Sequence, residues 1–234
     1  MARRYLWHRV LAVACVAAAC ALSGCATSGR ARMDGFAGDG GQHLALGRSS
    51  LLAGDPASAR SHLERAVKQG ESAEAHYYLA LIEMDESGSS NPEKAESALN
   101  RSIKAYPSGQ AFLLKGVLAE RRKDPAAAEQ AYKLGLSEAA PASRTAGILH
   151  RNLGVLLAAQ QRWDEAGEHF QAYVGQAESK HEAMSDSDLA LWGLMLYRQE
   201  RTLDAQAVWA RVADAGLRRS IQQAAGLTPT TARR

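Results

Sequence analysis

What constrains this chain most is a spacing that recurs five times. A residue followed by glycine or alanine appears as Leu46-Gly47, Leu79-Ala80, Lys115-Gly116, Leu153-Gly154 and Trp192-Gly193. Further along each copy an alanine stands four residues ahead of a bulky side chain: Ala59 and Leu63, Ala95 and Leu99, Ala128 and Tyr132, Ala166 and Phe170, Ala205 and Trp209. From the small residue to the alanine is 12 residues in four copies and 15 in the second, whose three extra residues fall in 86–90, where a helix-helix turn would lengthen. A step of four returns to the same helix face. Each copy therefore reads as two helices, with Gly or Ala where their backbones cross and the bulky residue filling the gap beside the crossing. Such a period implies stacked helix pairs, each covering the apolar face its neighbour leaves open.

Capping signals agree with this register independently. Asp55-Pro56, Asn91-Pro92 and Asp124-Pro125 each place a good N-cap residue before a proline at the first helical position, four residues ahead of the repeat alanine. Second helices should start there. Successive repeat alanines lie 36, 33, 38 and 39 residues apart, with the extra length around Pro141 to Thr145 and Gln176 to Ser185. The last two copies lack the Asp-Pro start, and Tyr173 and Val212 occupy places where a small residue is usual. After Gly216, the helical spacing of Leu217, Ile221 and Ala224 predicts a short capping helix, which a stack of repeats needs over its last apolar face. No alternating run of β-branched residues appears, so almost no sheet is expected.

These residues resemble the tetratricopeptide repeat, whose 34-residue unit carries Leu-Gly on its first helix and Ala with an aromatic four apart on its second. The resemblance covers roughly Gly41 to Leu217. It implies an all-α fold, a right-handed α-solenoid of about five helix-turn-helix repeats with the C-terminal cap. It also implies a concave surface lined by the first helices around the repeat glycine. Carried onto this chain, that groove would contain Leu44, Arg48 and Leu51; Tyr77, Leu81 and Met84; Leu113, Val117 and Arg121; Ile148, Arg151 and Val155; Leu194, Tyr197 and Arg198. An apolar floor with scattered arginines suits an extended or helical segment of another protein. Several of these residues have interhelix packing as their alternative role. The chaperone-type carboxylate clamp of the family needs Lys and Asn in the first copy's groove, where Leu44 and Arg48 stand, which weighs against that sub-function.

The N-terminus reads as an address and an anchor. Residues 1–24 combine Arg3, Arg4 and Arg9 with an apolar run from Val10 to Leu22, a secretory signal too short to span a bilayer comfortably. The run ends in Leu22-Ser23-Gly24-Cys25, which looks like the lipobox of bacterial lipoproteins. Small residues let the extended chain enter a signal peptidase, and the thiol takes a diacylglyceryl group as a thioether. Cleavage would leave Cys25 as the lipidated first residue; Cys20 is a weaker alternative. Several acyl chains at one residue would hold the protein stably, at about 0.8 kcal/mol per buried methylene. Ala26 after the cysteine implies, by family pattern, the outer membrane with the protein facing the periplasm. Residues 25–41 then form a glycine-rich tether, 42–226 the repeat array with its cap, and 227–234 a loose tail.

The chain carries 28 Lys and Arg against 25 Asp and Glu. Arg3, Arg4 and Arg9 account for the excess, so the remainder is balanced, which argues against a nucleic-acid partner held by phosphate neutralisation. All three cysteines lie within the first 25 residues, leaving the body with no disulfide framework, zinc knuckle or cysteine nucleophile. His43, His62, His76, His150, His169 and His181 include no two that are three or four apart, so no metal pair is written along one helix. His43 and His150, four residues before a repeat glycine, read as first-helix packing residues. There is no Gly-x-Ser-x-Gly elbow and no P-loop, and the carboxylates of the second helices read as solvated faces. No cofactor, metal, catalytic residue or small-molecule substrate is expected.

What remains is binding. The leading expectation is a lipid-anchored scaffold aiding assembly of a multiprotein envelope machine, with type IV pilus pilotins and tight-adherence pilus lipoproteins the most similar in layout. Adaptors for β-barrel assembly or for peptidoglycan hydrolases share that layout. An envelope hydrolase is the alternative of a different class.

Overall fold

The computed structural model describes residues 41–70, 73–85 and 91–225. The signal, Cys25, most of the tether, the insert at 86–90 and the tail lie outside the described residues. Within the described residues are eleven helices and no strand: α1 (Gly41–Leu52), α2 (Pro56–Gln69), α3 (Ala73–Met84), α4 (Pro92–Ala105), α5 (Gly109–Arg121), α6 (Pro125–Glu138), α7 (Arg144–Ala159), α8 (Trp163–Ser179), α9 (Asp186–Arg198), α10 (Thr202–Ala210) and α11 (Ala215–Ala224). None of them is long and apolar enough to cross a membrane.

The second helices start where the capping pattern places them. Asp55, Asn91 and Asp124 each accept a hydrogen bond from the backbone N–H three residues on, of Ser58, Lys94 and Ala127, at 3.0, 2.9 and 3.0 Å. The following prolines have no N–H to leave unsatisfied. The starts of α8 and α10 have no side-chain cap. There Arg162 and Arg201 instead pair with acids three residues on, Arg162 Nε reaching Glu165 at 2.7 Å and Arg201 reaching Asp204 at 2.7 Å. The turn before each second helix of copies one, three, four and five contains a left-handed residue two places ahead of the helix: Gly54, Lys123, Gln161 and Glu200, with φ of 75, 60, 64 and 64°.

The crossing geometry follows the repeat spacing. A Cβ on Gly47 would stand 2.7 Å from Leu63 Cγ, and one on Gly154 only 3.1 Å from the Ala166 carbonyl oxygen and 3.2 Å from the Phe170 ring. On Gly116 or Gly193 it would run into the rings of Tyr132 or Trp209. All five repeat alanines and all five bulky partners are fully buried. The glycines thus provide close approach, and the large side chains close over them.

The described residues divide into two compact units, 41–149 and 150–225, with the boundary inside α7. In the first, α1 pairs with α2, α3 with α4 and α5 with α6, while α2 packs on α3 and α4 on α5. Its first core cluster gathers Leu44, Ala59, Leu63, Ala66, Ala75 and Ile82. In the second, the end of α7 packs on α8 through Gly154, and α9 contacts α8, α10 and α11. The capping helix is real: Asp214 caps α11 by accepting from Leu217 N–H at 2.7 Å, and Ile221 is buried. Tyr173 lies edge-on to Phe170, and Val212 is completely buried.

Candidate partner-binding faces

The first helices of the 41–149 unit, α1, α3 and α5, lie side by side and are tied by arginines. Arg48 on α1 sits 3.2 Å from the Glu74 carboxylate on α3 and 5.9 Å from the Tyr78 ring centre. Burial pushes the Glu74 carboxyl above the usual carboxylate range, and the Arg48 charge opposes that push. From α5, Arg121 Nη1 donates to the Met84 carbonyl at 2.5 Å, satisfying an acceptor in the last turn of α3. Arg60 on α2 pairs with the buried Glu83 on α3.

Exposure sorts the predicted groove residues of this unit into two groups. Leu44, Tyr77, Met84, Leu113 and Val117 are buried, and Leu44 belongs to the core cluster with Leu51 packed against it. Their apolar surface is already used between helices. Arg48, Leu81 and Ile148 are half-buried and Arg121 is exposed, so these four offer surface to a partner.

In the 150–225 unit the same position of the repeat holds a closed polar network. Arg151 is 8% exposed; its Nε and Nη2 both reach Asp188 Oδ1 at 2.7 Å. The other oxygen, Oδ2, accepts from the Tyr173 hydroxyl at 3.1 Å and the Ser185 hydroxyl at 2.9 Å. Burial first, and then the adjacent Asp188 carboxylate, push the Tyr173 phenol up to about 12. Ser185 also caps α9 by accepting from Asp188 N–H at 3.1 Å. Arg151 is thus an internal ion-pair residue, and reversing its charge would set two carboxylates together inside the fold rather than probe docking. Val155 and Leu194 are buried as well. Tyr197 is half-buried, its hydroxyl donating to the Ala225 carbonyl at 2.9 Å and so holding the capping helix. Arg198 is exposed over the Trp163 ring at 5.1 Å.

One arrangement has no trace in local sequence spacing. His43 and His62 bring their Nδ1 atoms to 3.3 Å across α1 and α2, and His150 and His169 bring theirs to 3.1 Å across α7 and α8. Both pairs are 19 residues apart and occupy the same register, four before the repeat glycine and three after the repeat alanine. Looking for histidines three or four apart along one helix misses pairs that form only when two helices cross. The recurring offset of 19 was the available signal.

Stacked helix pairs of this geometry, with an exposed first-helix face, define a helical-repeat scaffold that binds proteins. The Tetratricopeptide repeat family matches residues 44–89, 84–144 and 145–181, more than half the chain, and the protein belongs to that family. No curated protein sequence matches. Among solved structures, MamA 41-end from Desulfovibrio magneticus RS-1 is similar at 18% identity and a TM-score of 0.58, covering 79% of this chain and 97% of its own. PilW, described as a widely conserved type IV pilus biogenesis factor, is similar at 16% identity and a TM-score of 0.58, covering 77% of this chain and 80% of its own. A crystal structure of MamA protein shares 15% identity at a TM-score of 0.55, covering 77% and 90%. At these identities the likeness concerns the fold.

Proposed function

We propose that this protein is a lipoprotein anchored through Cys25 to the outer membrane, facing the periplasm, and that its repeats hold a protein partner during assembly of an envelope machine, most closely a type IV or tight-adherence pilus. The observation that carries the reading is the order of parts: a lipobox-like Leu22-Ser23-Gly24-Cys25 ahead of a repeat array that begins at Gly41 and has the fold of a pilus biogenesis factor. A diacylated cysteine supplies membrane attachment without a transmembrane helix. The repeats supply recognition without a catalytic site.

Crosslinking in cells followed by identification of the partner tests the function. Capture of pilus or secretin components, weakened by Arg121→Glu on the exposed first-helix face with helicity unchanged, is the expected result. Capture only of β-barrel assembly components or peptidoglycan hydrolases would overturn the pilus assignment. Cys25→Ser should move the protein from the membrane to the soluble periplasmic fraction; continued membrane retention would defeat the anchor.

A further inference from the structure

We propose that the face closed by α11 is a helix-docking site, and that a partner binds there by replacing α11 with an amphipathic helix of its own, one with apolar residues four apart and a basic residue beside them.

Repeat symmetry makes this face a receptor for a helix. α3 packs on α1 and α2, α5 packs on α3 and α4, and α11 packs on α9 and α10 in the same manner. α11 therefore stands where the first helix of a sixth copy would stand, and no second helix among the described residues closes over it. Burial shows the difference. The first helices α5 and α9 each bury nine residues, whereas among the described side chains of α11 only Ile221 is buried and Leu217 is half-buried. Detaching α11 thus exposes far less apolar surface than detaching α5 or α9. With ten residues, α11 is also shorter than the about 12–15 at which isolated helices become even marginal in water, so its order depends on the face it covers.

The chemistry of the occupant is written in α11 itself. Leu217 and Ile221 lie one turn apart and meet the face. Arg218 Nη1 donates to the Val212 carbonyl at 2.8 Å, and its charge acts on the Asp186 carboxylate at the start of α9. α11 carries Arg218 and Arg219 and no acid, so the charge at this face is complementary to a basic helix. The Ala225 carbonyl accepts from the Tyr197 hydroxyl at 2.9 Å. Any helix has unpaired carbonyls in its last turn, so a foreign helix can take over that bond. Asp186 meanwhile accepts from the Ala213 and Asp214 N–H groups at 2.9 and 2.8 Å, which holds the turn before α11 in place when the helix leaves. The surface lies in the 150–225 unit and is independent both of the first-helix face of the 41–149 unit and of which envelope machine supplies the partner.

A fluorescently labelled peptide of residues 213–225, added to the full chain, tests the site. The chain's own α11 competes with it, so apparent affinity scales with the fraction of molecules whose α11 is detached. Tyr197→Phe, which removes one hold on α11 and keeps the ring beside Trp209, should tighten binding several-fold, and Ile221→Asp should tighten it about tenfold or more. Tyr197→Phe leaves the apolar packing intact, so the comparison does not rest on the fold tolerating Ile221→Asp. Peptides carrying Ile221→Asp or Arg218→Glu should bind several-fold more weakly. Equal affinity of the three chains would overturn the proposal, as would undiminished binding by either substituted peptide. Light scattering distinguishes a foreign helix from a second copy. A monomer is expected; a concentration-dependent dimer that Ile221→Asp abolishes would make the occupant another copy's α11 and overturn the assignment to a partner.

Discussion

Gly116 and Gly175 sit in similar helical backbone with opposite surroundings, and the contrast separates packing from propensity. A methyl on Gly116 would strike the Tyr132 ring, which is fully buried and held by its hydroxyl donating to Glu120 at 2.6 Å. Gly175 is exposed on α8, with nothing within 4 Å of an added Cβ. Gly116→Ala should therefore destabilise by about 1–3 kcal/mol through overpacking, and Gly175→Ala should stabilise by about 0.5–1 kcal/mol by removing backbone freedom from the unfolded chain. Urea midpoints of the two variants would show opposite shifts; a shared sign would mean that the crossing is not tight. His150 shows charge at the same scale. Burial first, then the facing His169, hold its imidazole below the usual range. The folded state thus releases its proton more readily than the unfolded chain, so stability is present above the unfolded value near 6.5 and is lost as pH falls below it. The slope from this ring is at most about 1.4 kcal/mol per pH unit, and less because solvent screens a half-exposed group. Denaturation from pH 7.5 to 5.5 should show that slope, and His150→Gln should flatten it.

Among the elements, the connections between helix pairs show where sequence reading succeeds and where it stops. Asp-Pro and Asn-Pro starts state their geometry in two adjacent residues, because the cap oxygen and the missing proline N–H answer the same unsatisfied helix end. The starts at Trp163 and Thr202 have no such local signal, yet their turns use the same left-handed residue as those of the first and third copies. Its identity is Gly54 in the first copy but Lys123, Gln161 and Glu200 later. Side chains in that region cost roughly 1–2 kcal/mol, offset in part by the greater freedom glycine has when unfolded. Glu200→Gly should therefore raise the thermal midpoint, with a gain of up to about 1 kcal/mol, and Gly54→Ala should lower it; calorimetry on both decides. The groove was less legible than the crossings for a related reason. A position beside the repeat glycine can face either the neighbouring repeat or solvent, and side-chain type does not separate the two. Leu81 and Leu113 look alike in sequence, but one is half-buried and the other 5% exposed. Arg151 reads as a groove cation along the chain, but the fold pairs it with Asp188, 37 residues on. The histidine pairs were hidden in the same way, since periodicity along one helix says nothing about what meets across two.

For the whole molecule, charge balance and fold together restrict how a partner can be held. Setting aside Arg3, Arg4 and Arg9, acids and bases are equal in number, so no net charge steers a partner from a distance. On the first-helix face of the 41–149 unit the cations are locally committed, Arg48 to Glu74 and Arg121 to the Met84 carbonyl. What they add at the surface is mostly the apolar length of their side chains. Docking on such a face depends on apolar burial and backbone-directed hydrogen bonds, which salt screens little. Partner captured by crosslink-free pull-down should therefore persist when salt rises from about 0.15 to 0.5 M, with less than a few-fold loss. Phosphate-neutralising binders lose orders of magnitude over a comparable range. A tenfold or larger loss would show that an exposed cation, Arg121 or Arg198, supplies the recognition.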